Sequence, residues 1–369
     1  MGTAPGRARP KAPTIFDVAA AAGVSKSTVS NVVRGAEHVS APTRARVLAA
    51  IERLSYRPNA IARQFVHQRT MILGVLVGDL SNPYYAHMAQ VVERAAFALG
   101  YATMFSNIEG SAQIASAGAG ALLEHRVAGI LFLAVGGSTP QLADTFRRAR
   151  VPMVFLGLSE RGGDSVGPED AAGGRMATEH LLALGHCRIA YVRTPLVEQS
   201  GDRARYAGYR SALQAQGVPL MPVFAWTPGS PTVGVGRRKL ELRDALLGPD
   251  APTAAFVSND IGAIALMDQC AALGLQVPSD LSIVGFDDIP IAGLQQISLT
   301  TVAQPLDFQA EQAVSLLLRR IERPTRAPRH LRVPVEIRVR RSTARPRGRW
   351  PAPSRPLAQP VSSGRRDLT

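Results

Sequence analysis

Residues 14–65 read TIFDVAAAAGVSKSTVSNVVRGAEHVSAPTRARVLAAIERLSYRPNAIARQF. Thr14 stands directly before Ile15, with Asp17 three residues on, the spacing of a capping box that opens a helix. That helix runs to Ala22 and stops at Gly23. Ser25 caps a second helix ending at Gly35. Ser40 and Pro42 open a third, with Val47, Ile51 and Leu54 on one face. The link Ala22-Gly23-Val24-Ser25 has the length of a helix-turn-helix turn. Gly23 relieves the sharp bend, and Val24 can plug the core between helices. On the second helix Val29, Val32 and Val33 recur at i, i+3 and i+4 and face inward. Ser25 and Thr28 lie at its start, and Lys26, Ser27, Ser30, Asn31 and Arg34 take the outward face. These short or cationic side chains suit phosphates and base edges. Plain solvation also produces a polar helix face, so the segment alone leaves both readings open.

Charge is unevenly spread along the 369 residues. Residues 1–69 hold 11 Lys/Arg against 3 Asp/Glu, residues 319–369 hold 15 against 3, and residues 70–318 hold 16 against 22. An acidic body between basic ends points to a polyanionic partner. A coding bias toward arginine (39 Arg, 3 Lys) can account for the C-terminal excess, but less well for its absence from the middle.

From Ile72 the texture changes, and apolar strands alternate with amphipathic helices. Strands are predicted at 72–77, 102–106, 129–133, 153–156, 188–192, 254–257 and 281–285. Helices are predicted near 84–99, 140–149, 173–184, 204–216, 233–247, 260–273 and 306–321. This rhythm is that of doubly wound parallel sheets, and about 270 residues is long for one, so two are expected. Such sheets bind ligands beyond the carboxyl ends of their strands. Residues 1–13 and 344–369, rich in Pro and Arg, are expected to be disordered. No apolar run is long enough to span a membrane. The basic first residues lead into no apolar segment of a secretory signal. Cys187 and Cys270 are too few for a disulfide framework or a zinc cage. Neither metal nor cofactor is expected.

The opening segment closely resembles the headpiece of the lactose-repressor (LacI-type) family. The resemblance continues in the family's order through LGVLVGDLSNPYYAHMAQVVERAA, RVAGILFL, HLLALGHCRIAYV, RYAGYRSAL, AAFVSNDIGAIALM, DLSIVGFDDI, LTTVAQP and VRRST, covering roughly 14–343. It implies an all-α helix-turn-helix headpiece (14–57), a hinge helix and linker (58–69), and a periplasmic-binding-protein-like α/β core (70–343). That core is expected to divide into an N-subdomain (about 70–168 and 302–331) and a C-subdomain (about 169–301 and 332–343). The implied protein is a cytoplasmic homodimeric transcription regulator that binds a palindromic operator in double-stranded DNA under control of a small effector, a sugar or sugar derivative.

Site residues follow from the same resemblance. For DNA, the headpiece supplies Thr14, Ser25, Lys26, Ser27, Thr28, Ser30, Asn31 and Arg34. The hinge supplies Asn59, Ala62, Arg63 and Phe65. Phe65 stands where the family wedges a Leu into the minor groove, although a core or dimer contact is also open to it. For the effector, Asp79, Ser81, Asn82 and Tyr84 follow the first strand. Arg205, Trp226, Asn259, Asp260, Asp287 and Gln304 come from the second half. Paired Asp, Asn and Arg side chains suit a polyhydroxylated ligand, since each hydroxyl both donates and accepts. Asn82, Asn259 and Asp260 also sit at strand-to-helix turns, where capping would explain them equally. Some positions depart from the family. Ser55 stands where Gly or Asn ends the third helix, Gly118 and Gly120 fall where a charged helix is usual and would fray it, Ala171 replaces Asn, and Asn31 replaces Arg.

Two other classes compete. An exported solute-binding protein would carry a signal peptide and no headpiece. An enzyme could use Gly163-Asp164-Ser165-Val166-Gly167, which matches G-x-S-x-G but lacks the strand-turn-helix context of a nucleophile elbow. No Walker A or H-E-x-x-H motif is present, and no catalytic residue is expected.

Overall fold

The computed structural model describes residues 13–33, 36, 39–56, 70–109, 111–133, 139–157, 163–194 and 200–347. The chain divides into two units, residues 1–70 and 71–369. Arg34, the hinge residues Asn59, Ala62, Arg63 and Phe65, and the segments 1–12 and 348–369 lie outside the described residues.

In the first unit α1 (Ile15–Ala22), α2 (Lys26–Val33) and α3 (Ala41–Arg53) follow the sequence reading closely. The capping box is formed: the Thr14 hydroxyl oxygen accepts from the Asp17 N–H at 3.4 Å, and the Asp17 carboxylate accepts from the Thr14 N–H at 2.7 Å. Gly23 takes the left-handed conformation, φ 62°, where a Cβ would be strained. Val18, Val29, Val32, Val47 and Tyr56 make the core, with Val24 and Val33 packed half-buried against it. Ser40 occupies the N-cap of α3 but donates to the Thr43 hydroxyl rather than capping the backbone.

Ser55 follows α3 at φ 48°, so a serine takes the left-handed turn that glycine adopts without strain. That conformation costs an L-residue about 1–2 kcal/mol, partly offset by the entropy glycine loses on folding. Ser55→Gly is therefore expected to stabilise the headpiece by about 1 kcal/mol, read as a higher melting temperature by circular dichroism.

The second unit holds two sheets. The first contains β1 (Ile72–Val77), β2 (Ala102–Asn107), β3 (Gly129–Leu133), β4 (Met153–Leu156), β5 (Asp164–Pro168) and β13 (His330–Val333), in the order β13-β5-β4-β3-β1-β2 and all parallel. The second contains β6 (Ile189–Arg193), β7 (Phe224–Trp226), β8 (Thr232–Val235), β9 (Arg238–Glu241), β10 (Ala254–Val257), β11 (Ser282–Asp287), β12 (Thr300–Ala303) and β14 (Glu336–Arg338), in the order β14-β12-β11-β10-β6-β7-β8-β9. Helices α4 (Pro83–Ala98), α5 (Ala112–Glu124), α6 (Thr139–Arg148) and α11 (Leu306–Glu322) serve the first sheet, and α7 (Asp170–Ala183), α8 (Ser200–Ala215), α9 (Leu242–Leu247) and α10 (Asp260–Ala272) the second. Central strands such as β1, β3, β10 and β11 are buried along almost their whole length, as their near-continuous apolar runs require.

Four sequence expectations need correction. The predicted strands omit Asp164–Pro168, which is β5, buried throughout between β4 and β13. Residues 233–247 are not one helix: Val233 and Val235 alternate with glycine, and β8 and β9 turn back at Gly236 (φ 60°) before the short α9. Gly118 and Gly120 do not break α5; a Cβ on Gly118 would lie 1.9 Å from the Ser106 Oγ, so that glycine lets α5 sit against β2. The expected disordered tail begins too early, because Ala344 bonds to Ser282 and His186, and Arg347 pairs with Asp280. The sheets also place β12 to Ala303 and β13 to Val333, so the last two crossings fall about two residues later than the sequence put them.

Candidate functional site

The headpiece presents Lys26 and Ser27 exposed at the start of α2, while Thr28, Ser30 and Asn31 are half-buried along it. Ser25 acts first as a cap, its hydroxyl accepting from the Thr28 N–H at 3.1 Å. Phe16, which the sequence reading missed, is 64% exposed on α1 and lies under the Lys26 ammonium, 5.1 Å from ring centroid to nitrogen. This cation–π contact restrains a long side chain that otherwise has many rotamers.

The second candidate site lies in the larger unit, at the carboxyl ends of the strands. Arg205 on α8 is its centre and is almost wholly buried. Its Nε donates to Asp170 at 2.8 Å, and one terminal nitrogen donates to the Ser258 carbonyl at 2.6 Å and stands 3.9 Å from Asp287. The guanidinium lies over the Phe286 ring at 3.6 Å. Burial disfavours its charge, but Asp170 and Asp287 outweigh that and hold it protonated. Asp287 ends β11 with φ 124°, and Asp288 follows at φ 54°, two successive strained positions at the strand end. Burial pushes the Asp287 carboxyl well above the usual carboxylate range, against the pull of Arg205. Gln304, where the chain leaves β12, donates to Asp287 at 2.8 Å and accepts from the Tyr84 hydroxyl at 3.3 Å. Tyr84 belongs to α4 of the other lobe, so one chain of polar contacts spans both.

The approach of α7 to α8 sets this geometry. A Cβ on Gly174 would lie 2.1 Å from the Arg205 carbonyl oxygen, and one on Gly208 would lie 2.0 Å from that of Ala171. These glycines allow backbone-to-backbone packing that brings Asp170 and Arg205 together.

The structure thus gathers Arg205, Asp287, Gln304 and Tyr84. It adds Asp170, Ser258 and Phe286, which the sequence reading did not assign to the site. Asn82 caps α4, accepting from Tyr84 N–H at 3.0 Å, and Asn259 caps α10, accepting from Gly262 N–H at 2.8 Å. Asp79 accepts from the Ser81 N–H at 2.8 Å in the turn after β1, and Ser81 itself is exposed. Asp260 is turned into the lobe, where its carboxylate accepts from Ile289 N–H at 2.9 Å and the Thr301 hydroxyl at 2.5 Å. Burial pushes its pKa up to about 6, with those two hydrogen bonds opposing. Trp226 is packed in the core of the second lobe, its indole N–H donating to the Ser230 carbonyl at 3.0 Å.

Comparison with known proteins matches residues 14–59 to the model for bacterial regulatory proteins of the lacI family, and residues 178–343 to a periplasmic binding protein-like domain. The ribose operon repressor of Escherichia coli strain K12 is 35% identical over 314 residues, covering 85% of this chain and 94% of the repressor. Among solved structures, the lac repressor dimer bound to operator and an anti-inducer superposes with a TM-score of 0.76 at 28% identity, covering 90% of this chain and 100% of that one. A lacI-family regulator from Enterococcus faecium with bound ribose gives 0.63 at 28% identity, covering 74% and 99%. With helix-turn-helix headpiece, two-lobed core and buried polar cluster described, the chain belongs to the lacI family of bacterial regulatory proteins, a DNA-binding transcription regulator with an effector-binding core.

Proposed function

We propose that this regulator is a cytoplasmic homodimeric repressor that binds a palindromic operator and is controlled by a carbohydrate held between the two lobes of its core. The observation that carries the proposal is the Arg205–Asp170–Asp287–Gln304–Tyr84 cluster, which offers donors and acceptors side by side and reaches from one lobe to the other. A sugar hydroxyl can accept from Arg205 and donate to Asp287 at once. Ribose in the name of one relative and bound in the structure of another supports the sugar class. The operator-bound dimer of the lac repressor supports the two-fold assembly. Asp79, Ser81, Asn82 and Asn259 serve turns and helix caps beside this cluster, and Asp260 and Trp226 serve the interior of the second lobe. A catalytic role is not proposed: Ser165 of the G-x-S-x-G match lies inside β5, bonded to His330 at 2.9 Å, rather than at a strand-to-helix elbow.

Thermal-shift screening against pentoses, hexoses, disaccharides and purine bases tests the effector class. A ligand at a hundredfold excess over its Kd should stabilise the protein by about 2.7 kcal/mol. A response to purines alone would refute the carbohydrate assignment.

The operator reading is tested by selecting binding sites from random DNA. Lys suits guanine and Asn suits adenine in the major groove. A two-fold symmetric consensus is expected, and Asn31→Ala should cost about 1–3 kcal/mol at one base pair of each half-site. A non-symmetric consensus, or one unchanged in the variant, contradicts the reading.

A further inference from the structure

Residues 319–332 hold six arginines and one acidic residue, Glu322. The segment spans the last turn of α11, a loop and the start of β13. Arg320 organises the loop from within. Its guanidinium pairs with the buried Asp164 carboxylate at 2.8 and 2.9 Å and donates to the carbonyls of Pro324, Arg326 and Ala327. Asp164 also accepts from the Arg329 backbone N–H at 2.7 Å. The loop is therefore wrapped around one buried ion pair, and Arg319, Arg323, Arg326 and Arg329 are exposed on its surface. None of these four pairs with a carboxylate among the described residues. Arg150, exposed before β4, lies at the same end of the sheet, on the other side of β5.

Position gives this patch its meaning. In a parallel sheet all amino ends share one edge, so the loop before β13 and the chain entry before β1 lie at the same end of the lobe. Four strand positions separate them, about 19 Å. The effector cluster sits at the opposite, carboxyl end. The chain reaches this arginine-bearing end directly from the DNA-binding headpiece through residues 57–69, a length that spans at most about 45 Å. Arginine bias alone does not predict such segregation, because residues 70–318 carry an acidic excess.

We propose that the loop built around the Arg320–Asp164 pair is a second DNA-contacting surface, which grips phosphates beside the site read by the headpiece. It supplies sequence-independent affinity and is not an effector subsite. The full-length Arg323→Gln/Arg326→Gln/Arg329→Gln variant tests this against a labelled 40-base-pair duplex of random sequence, by fluorescence anisotropy across a NaCl series. Removing each arginine–phosphate interaction should lower the slope of log affinity against log salt by about 0.9, and affinity at low salt should fall accordingly. The matching triple Lys variant should restore the slope, since charge and not the planar fork carries this term. A slope equal to the parent's in a variant with unchanged melting temperature overturns the proposal. If the triple Gln variant melts lower, Arg326→Gln alone decides by the same slope criterion. An unaltered DNA slope with loss of binding to a phosphoserine peptide would assign the surface to a protein partner, and would also overturn it.

Discussion

Replacing Arg205 by Ala is expected to lower the unfolding free energy of the core by about 3–5 kcal/mol and to abolish the thermal shift produced by a carbohydrate effector. Arg205 is buried with Asp170 at 2.8 Å and Asp287 at 3.9 Å, and its deletion leaves two buried carboxyls without their cation. The loss should exceed that of any exposed pair in the molecule, such as Arg94–Asp307, because solvent screens those. Arg205→Lys should rescue little. An ammonium lacks the planar fork that serves Asp170 and the Ser258 carbonyl together while lying flat on Phe286. Urea denaturation followed by tryptophan fluorescence measures the stability change. A loss below about 1 kcal/mol, or effector binding retained at full affinity, would show that the cluster is not the ligand-holding element.

Gly174→Ala is expected to cost about 3 kcal/mol or more, an unusually large effect for the addition of one methyl group. The new Cβ would meet backbone atoms of Arg205 at 2.1 to 2.8 Å, and backbone has no rotamer with which to yield. The two helices must separate, and Arg205 must move with them. The variant should therefore lose effector affinity as well as stability, although Gly174 touches no ligand. Gly120 supplies the internal control. A Cβ there meets nothing within 4 Å, so Gly120→Ala should stabilise α5 by up to about 1 kcal/mol. Equal effects of the two substitutions on melting temperature would contradict the packing described.

How far the sequence carried these conclusions differs between the two units. The headpiece was legible almost residue by residue, because its helices are short and bounded by strong local signals: Thr14 with Asp17, Gly23, and Pro42. The central strands of the core were legible for a related reason, since burial on both faces demands unbroken apolar runs. Strands nearer the margin of each sheet were not. β5 is absent from the predicted strands, because its pairing with β13 brings together residues 165 positions apart that no local window sees. The same blindness hid Asp170, which follows β5 and completes the polar cluster around Arg205. The family resemblance assigns Trp226 to the effector site, but its burial and bond to Ser230 put it in the lobe's core. Asp260 looked like a cleft residue or a cap, and is instead the internal tie between α10 and the turn after β11.

Occupancy of the core cluster is expected to govern the grip on DNA. The most direct test is a closed thermodynamic cycle on the full-length protein, with a carbohydrate identified by thermal shift and an operator selected from random DNA. Operator affinity is measured with and without the sugar, and sugar affinity with and without the operator. The sugar is expected to change operator Kd by about 5-fold to 150-fold, the operator to change sugar Kd by the same factor, and both changes to vanish in Arg205→Ala. A sugar that binds at the cluster while operator Kd stays unchanged would contradict it.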